Sequence, residues 1–79
     1  MKLAALQFRP PHGQPAVARV QLRELLLRAK GADLVVCPEM AISGYVFESA
    51  EEIAPHTELA AGETYAMLAE CAQELGAWI

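Results

Sequence analysis

The stretch GADLVVCPEMAISGY, Gly31 to Tyr45, sets an unbroken apolar run against a proline, a glutamate and a glycine–tyrosine turn. Leu34 to Cys37 are apolar at four successive positions, the pattern of a parallel strand covered on both faces. Pro38 has no N–H with which to continue the ladder, so a strand over Asp33–Cys37 is expected to stop there. Glu39 then stands two residues past the strand. In parallel sheets the functional groups collect at the carboxyl ends of the strands, where the chain leaves the sheet and side chains project into a crevice. A carboxylate in that place suits a general base. On spacing alone the plainer reading, a solvated loop carboxylate, comes first.

Upstream, Lys2–Phe8 (KLAALQF) is a short apolar run closed by Arg9-Pro10-Pro11, and its length fits a strand. PPHGQPA reads as a loop, with Pro15 suited to the first turn of a helix. From Ala16 to Lys30, Ala18, Leu22, Leu25, Leu26 and Ala29 fall on one helical stripe, and Glu24 precedes Arg28 at the favourable four-residue spacing. Gly31 is the expected C′ residue. Val20 and Leu27 form a second, narrower stripe flanked by Arg19 and Arg23, readable as tolerated surface or as a contact with another sheet or subunit.

Downstream, Ser49-Ala50-Glu51-Glu52 has the form of a capping box, opening a helical turn that Pro55 limits. A longer helix is expected from Glu63 or Thr64 to Leu75, with Tyr65, Leu68, Ala69, Ala72 and Leu75 on its buried face and Gly76 as its stop. Ala77-Trp78-Ile79 reads as the opening of a third strand, with Trp78 in the strand or the core. Strand, helix, strand, loop, helix and strand in this order imply the α/β class, a mainly parallel sheet with right-handed crossovers.

With 79 residues the chain makes at most one small domain, and a core of that size supplies only about 3–5 kcal/mol. A sheet of two and a half strands is an incomplete layer, so residues 1–79 are expected to be the N-terminal portion of something larger. An apolar content of 54% against 20% charged residues argues against disorder. No apolar run approaches the ~18–20 residues of a membrane span, and the N-terminus lacks a secretory h-region. The expectation is a cytoplasmic protein without a membrane partner.

The net charge is −4, with all six Lys and Arg within residues 1–30 and nine of the ten acids after them. That basic segment reads as the solvated face of the first helix, and nucleic acid is not expected as a partner. Cys37 and Cys71 have neither CxxC spacing nor a histidine cluster, which points to packed thiols rather than a zinc site or a disulfide. His12 and His56 sit in proline-bordered loops without an acid or thiol at useful spacing, as solvated loop residues would. The loop RPPHGQPA has one glycine where a phosphate cradle needs several, which argues against a nucleotide-binding βαβ unit.

GADLVVCPEMAISGY resembles the first signature of the nitrilase, or carbon-nitrogen hydrolase, superfamily: a Gly-Ala-Asp-hydrophobic strand, then Pro-Glu, then Gly-Tyr. KLAALQF, the helix leading into GAD and the later MLAECAQELGAWI fall in family order. The resemblance implies the N-terminal part of a four-layer α-β-β-α sandwich, the chain stopping at the third strand. It further implies hydrolysis of a non-peptide carbon–nitrogen bond in a small-molecule amide, carbamoyl compound or nitrile. In the family a cysteine attacks, a glutamate shuttles its proton and a lysine stabilises the tetrahedral intermediate, without cofactor or metal; complete members form homo-oligomers.

By position Glu39 matches the catalytic glutamate, and Tyr45 matches the family's Gly-Tyr. Tyr45 is read either as lining the substrate pocket near Glu39, together with Phe47, or as closing the turn at Gly44. Lys2, Lys30, Cys37 and Cys71 do not match the lysine and cysteine positions, which in the family lie on later strands. Alone, the 79 residues are therefore expected to be inactive. The other reading is a non-catalytic α/β binding or assembly module, or a degenerate remnant of the hydrolase, using the Val20–Leu27 stripe and the sheet edge.

Overall fold

The computed structural model describes residues 1–79. Strands β1 (Leu3–Ala5) and β2 (Leu34–Val36) pair in parallel, Leu3 opposite Leu34 and Ala5 opposite Val36. Pairing runs past both ends: the Asp33 N–H donates to Lys2 O at 2.7 Å, and the Leu6 N–H donates to Val36 O at 2.9 Å. The Lys2 N–H also donates to the Asp33 carboxylate at 2.6 Å, which fixes the register at the polar end. Regular pairing is shorter than the apolar runs Lys2–Phe8 and Asp33–Cys37 because both chains turn away toward prolines, Pro10-Pro11 and Pro38. On the other edge of β2, the Val35 N–H donates to Trp78 O (2.7 Å) and the Trp78 N–H to Asp33 O (2.9 Å). β2 is central, and the expected third strand is a single parallel bridge, Leu34 to Trp78, whose indole is exposed.

Helix α1 runs from Pro15 to Leu27, with Pro15 in its first turn, and its buried side is Ala18, Leu22 and Leu26. The α-helix ends three residues before the expected Lys30. The Arg28 and Ala29 N–H groups donate to Leu25 O and Leu26 O, a tighter winding that satisfies carbonyls at the helix end. Glu24 and Arg28, four residues apart, form no ion pair. The ion pairs formed are long-range. Arg19 reaches Glu63 at 2.7 Å and Glu58 at 3.3 Å, and Arg23 reaches Glu74 at 4.0 Å.

Helix α2, Ala50–Ile53, starts as the capping box predicts: the Glu52 N–H donates to Ser49 Oγ at 3.2 Å. The returning Glu52 carboxylate accepts from the Glu48 N–H at 2.8 Å, one residue earlier than in the usual box. Pro55 sits in a 3₁₀ turn, Ala54–His56, that follows at once. Helix α3 covers Glu63–Leu75 and is closed by Gly76 in the left-handed region, φ 62°.

The buried face of α3 differs from the expected one. Cys71 is fully buried, with Met67 and Leu68 packed beside it, whereas Tyr65 is 64% exposed and Ala69 is also exposed. Apolar side chains encircle most of this helix, so periodicity leaves its rotation open. Packing of Cys71, Met67 and Leu68 against Leu22, Leu26 and Val35 sets the rotation, and the Arg19–Glu63 and Arg23–Glu74 contacts tie α3 to α1 at the surface. Cys71 is at the centre of that face.

Leu22, Leu26, Val35 and Cys71 form the core, ringed by Ala4, Leu6, Phe8, Cys37, Met67 and Leu68. Helices α1 and α3 thus share one face of the sheet, a two-layer arrangement consistent with a least dimension of 18 Å. The opposite face, expected to be covered, is open: Leu3 is 68% and Val36 54% exposed. Of the second stripe, Val20 is 60% exposed and Leu27 half-buried. No helix is long and apolar enough to cross a membrane.

The N-terminus of α3 has no capping side chain at Gly62, and Glu58 substitutes for it from outside the helix. Its carboxylate accepts from the Thr64 N–H at 2.7 Å and from the Thr64 hydroxyl. These bonds to Thr64, with a smaller contribution from the Arg19 guanidinium, hold the Glu58 carboxyl below its ordinary value. A lowered carboxyl adds stability that is present above the unfolded value, about 4.5, and is lost as pH falls through the lower folded value. Glu58→Gln should therefore lower the thermal midpoint at neutral pH, with the difference from the parent shrinking below about pH 4. A pH series of melting curves for both proteins checks this.

Candidate functional site

After Val36 the chain passes through Cys37 and Pro38 into a tight turn, Glu39 to Ser43. Met40 takes φ 54°, the left-handed region that non-glycine residues seldom adopt. Its carbonyl accepts from the Gly44 N–H at 3.0 Å, closing the turn. Such backbone strain, of order 1–3 kcal/mol, persists where surrounding structure over-determines it and is frequent at functional sites. The unusual residue is directly next to Glu39.

Glu39 is exposed at the carboxyl edge of the central strand, and no arginine, lysine or histidine of the chain pairs with it. A carboxylate in that state keeps its lone pairs available for an incoming proton.

The turn is pinned from the side by the loop that follows β1. The Gly13 N–H donates to Ser43 O at 3.0 Å, and Gly44, buried with φ 88°, lies against His12. A Cβ built on Gly44 would stand 3.2 Å from the His12 Cα, so both the dihedral and the backbone contact require glycine here. Gly44→Ala should lower stability by about 1–3 kcal/mol and part the two loops. A loss in urea midpoint, with faster hydrogen exchange at Gly13 and Gly44 than at Val35, checks it.

Tyr45 is half-exposed and lines a cavity of about 240 Å³ with Arg9, Pro10, Pro11, His12 and Val46. Phe47, expected beside it, turns instead between the two histidines, with ring centroids 4.5 Å from His12 and 5.8 Å from His56. His12 also has an acid near it, Glu52 Oε1 at 3.7 Å from Nε2. The histidines are therefore not isolated loop residues: they clamp Phe47 and join the loop after β1 to α2. Sequence spacing gave no sign of this, since His12 and Phe47 lie in two separate loops, His56 ends the 3₁₀ turn after α2, and the three meet only through the tertiary fold. Tyr45 and Glu39 leave the same sheet edge but do not line one cavity.

Both thiols are pushed up from the ordinary value, Cys37 by burial and then by Cys71, and Cys71 by burial, which outweighs the neighbouring Arg23. Raised thiols are poor nucleophiles at neutral pH. Cys71 Sγ lies 3.8 Å from Met67 Sδ in the core, as a small hydrophobe does. No three His, Cys, Asp or Glu side chains converge as metal ligands.

Compared with known proteins, residues 2–79 match the family model described as carbon-nitrogen hydrolase. No curated protein matches the chain.

Proposed function

The chain belongs to the carbon-nitrogen hydrolase family, and from that premise we propose that Glu39 is the general base and proton shuttle of a thiol-mediated C–N hydrolysis. The carrying observation is its placement: an unpaired, exposed carboxylate at the carboxyl edge of the central strand, held between Pro38 and the left-handed Met40. In this mechanism Glu39 takes the proton of a cysteine thiol as the sulfur attacks the amide, carbamoyl or nitrile carbon. With an amide or carbamoyl compound it returns a proton to the leaving nitrogen, and then takes one from the water that cleaves the thioester. A nitrile first adds the thiol as a thioimidate, which one water converts to the thioester with loss of ammonia before a second water cleaves it. A thiol at its free pKa is only a few per cent thiolate at neutral pH, so a positioned base raises the reactive fraction.

Cys37 and Cys71 are poor candidates for that thiol, since burial pushes both up and Cys71 is packed in the core. The attacking cysteine and the lysine that stabilises the tetrahedral oxyanion belong to segments after Ile79, and residues 1–79 are the N-terminal part of one such domain. The open sheet face supports this: Leu3 and Val36 offer an apolar surface on which a second sheet, with its own helix layer, would complete four layers. Tyr45, at the same edge, contacts substrate. The full-length native protein should release ammonia from at least one of a primary amide, an N-carbamoyl compound and a nitrile; release from none of the three would refute the assignment.

A further inference from the structure

We propose that the cavity lined by Arg9, Pro10, Pro11, His12, Tyr45 and Val46 binds a carboxylate group of a small molecule. Among its lining side chains are a guanidinium, a phenol and an imidazole, and none is acidic. Arg9 is the unmatched cation of this region. Arg19 and Arg23 of α1 are paired with Glu58, Glu63 and Glu74, whereas Arg9 has no carboxylate within ion-pair distance. Glu52 lies by His12 Nε2 at 3.7 Å and so sits against the imidazole, with no ion pair to the guanidinium.

The walls are fixed before any ligand arrives. Pro10 and Gly44 are buried, the Gly13 N–H holds Ser43 O, and the His12 ring is stacked on Phe47. At about 240 Å³ the space is below the ~300–1,000 Å³ of sites that enclose whole drug-sized ligands, and it suits one small anionic group. A planar carboxylate fits a guanidinium through two parallel N–H···O bonds, with the phenol O–H as a further donor.

The topology sends the loop carrying Arg9 and the turn carrying Glu39 out at the same end of the sheet. β1 and β2 are parallel neighbours, Ala5 opposite Val36, so the residues that follow them, Arg9 and Glu39, emerge at one sheet edge. Carboxylate binding stands on the cavity alone. Its identification as the carboxylate of the substrate, making that substrate an amide or carbamoyl derivative of an organic acid, rests on the hydrolase reading.

Ligand-observed NMR on the full-length native protein tests the site, with propionate as probe and butanone as its neutral isostere. Propionate should bind with saturation, butanone should not compete, and Arg9→Gln should raise the propionate Kd at least tenfold. Tyr45→Phe should weaken it less. Both side chains are exposed, so the fold tolerates either change. Glu39→Gln should leave propionate binding intact, which separates this site from the catalytic assignment. Equal binding of butanone, a Kd unchanged in Arg9→Gln, or displacement of propionate by far lower concentrations of inorganic phosphate would each overturn the proposal.

Discussion

Leu26→Ala should leave the protein largely unfolded at room temperature. Leu26 is fully buried at the meeting point of α1, β2 and α3, against Leu22, Val35 and Cys71. Removing a buried leucine side chain loses its transfer free energy and opens a cavity that the surroundings only partly fill, about 2–5 kcal/mol in all. A core supported by a single sheet face holds about 3–5 kcal/mol, so this loss consumes most of it. Val20→Ala on the same helix is the control: Val20 is 60% exposed and its loss should shift stability by no more than about 0.5 kcal/mol. Urea unfolding followed by circular dichroism separates the two, and a Leu26→Ala protein as stable as Val20→Ala would contradict the core assignment.

The second large effect is on activity. Glu39→Gln keeps the shape of the side chain and removes its capacity to take a proton, so kcat of the full-length protein should fall by about 10²–10⁴, the usual contribution of a general base. Glu39 makes no ion pair that the amide would break, and its side chain supports no core packing. The melting temperature should therefore stay within a degree or two. KM should change little, because the role is proton transfer rather than substrate binding. Glu39→Asp, which retracts the carboxylate by one methylene, should fall between the two, since proton transfer depends on hydrogen-bond reach.

Much of the fold was legible in the chain because its punctuation is strong. Pro15, the Ser49–Glu52 box and Gly76 each appear where the local chemistry requires them, and the α1 stripe is buried as its period predicts. Two of the errors share a cause, in that each depended on a partner distant in sequence. The rotation of α3 is set by packing against Leu22 and Leu26, on another helix, and Val35, on a strand. The apolar run of β2 was read as covered on both faces, yet the helices of this chain cover only one. The Glu24–Arg28 pair, a local expectation, does not form.

The site divides in the same way. Glu39 is a candidate legible in the chain because a proline and a glutamate at the end of an apolar strand form a local pattern, and the structure places it exposed at the end of the central strand. Arg9 went unnoticed. Its neighbours in the cavity, Tyr45 and Val46, are more than thirty residues away in the chain. Only the parallel pairing of β1 with β2 brings the two loops together, and no local pattern around Arg9 marks that meeting. The His12–Phe47–His56 stack was hidden for the same reason.

The most direct test of the central claim is the rate of ammonia release by full-length Glu39→Gln relative to the native protein, at saturating substrate and with matched melting curves. A fall of at least about 100-fold with the fold intact is the predicted result. A rate within a few-fold of the native one would show that Glu39 is a solvated loop carboxylate and that the proton of the attacking thiol goes elsewhere.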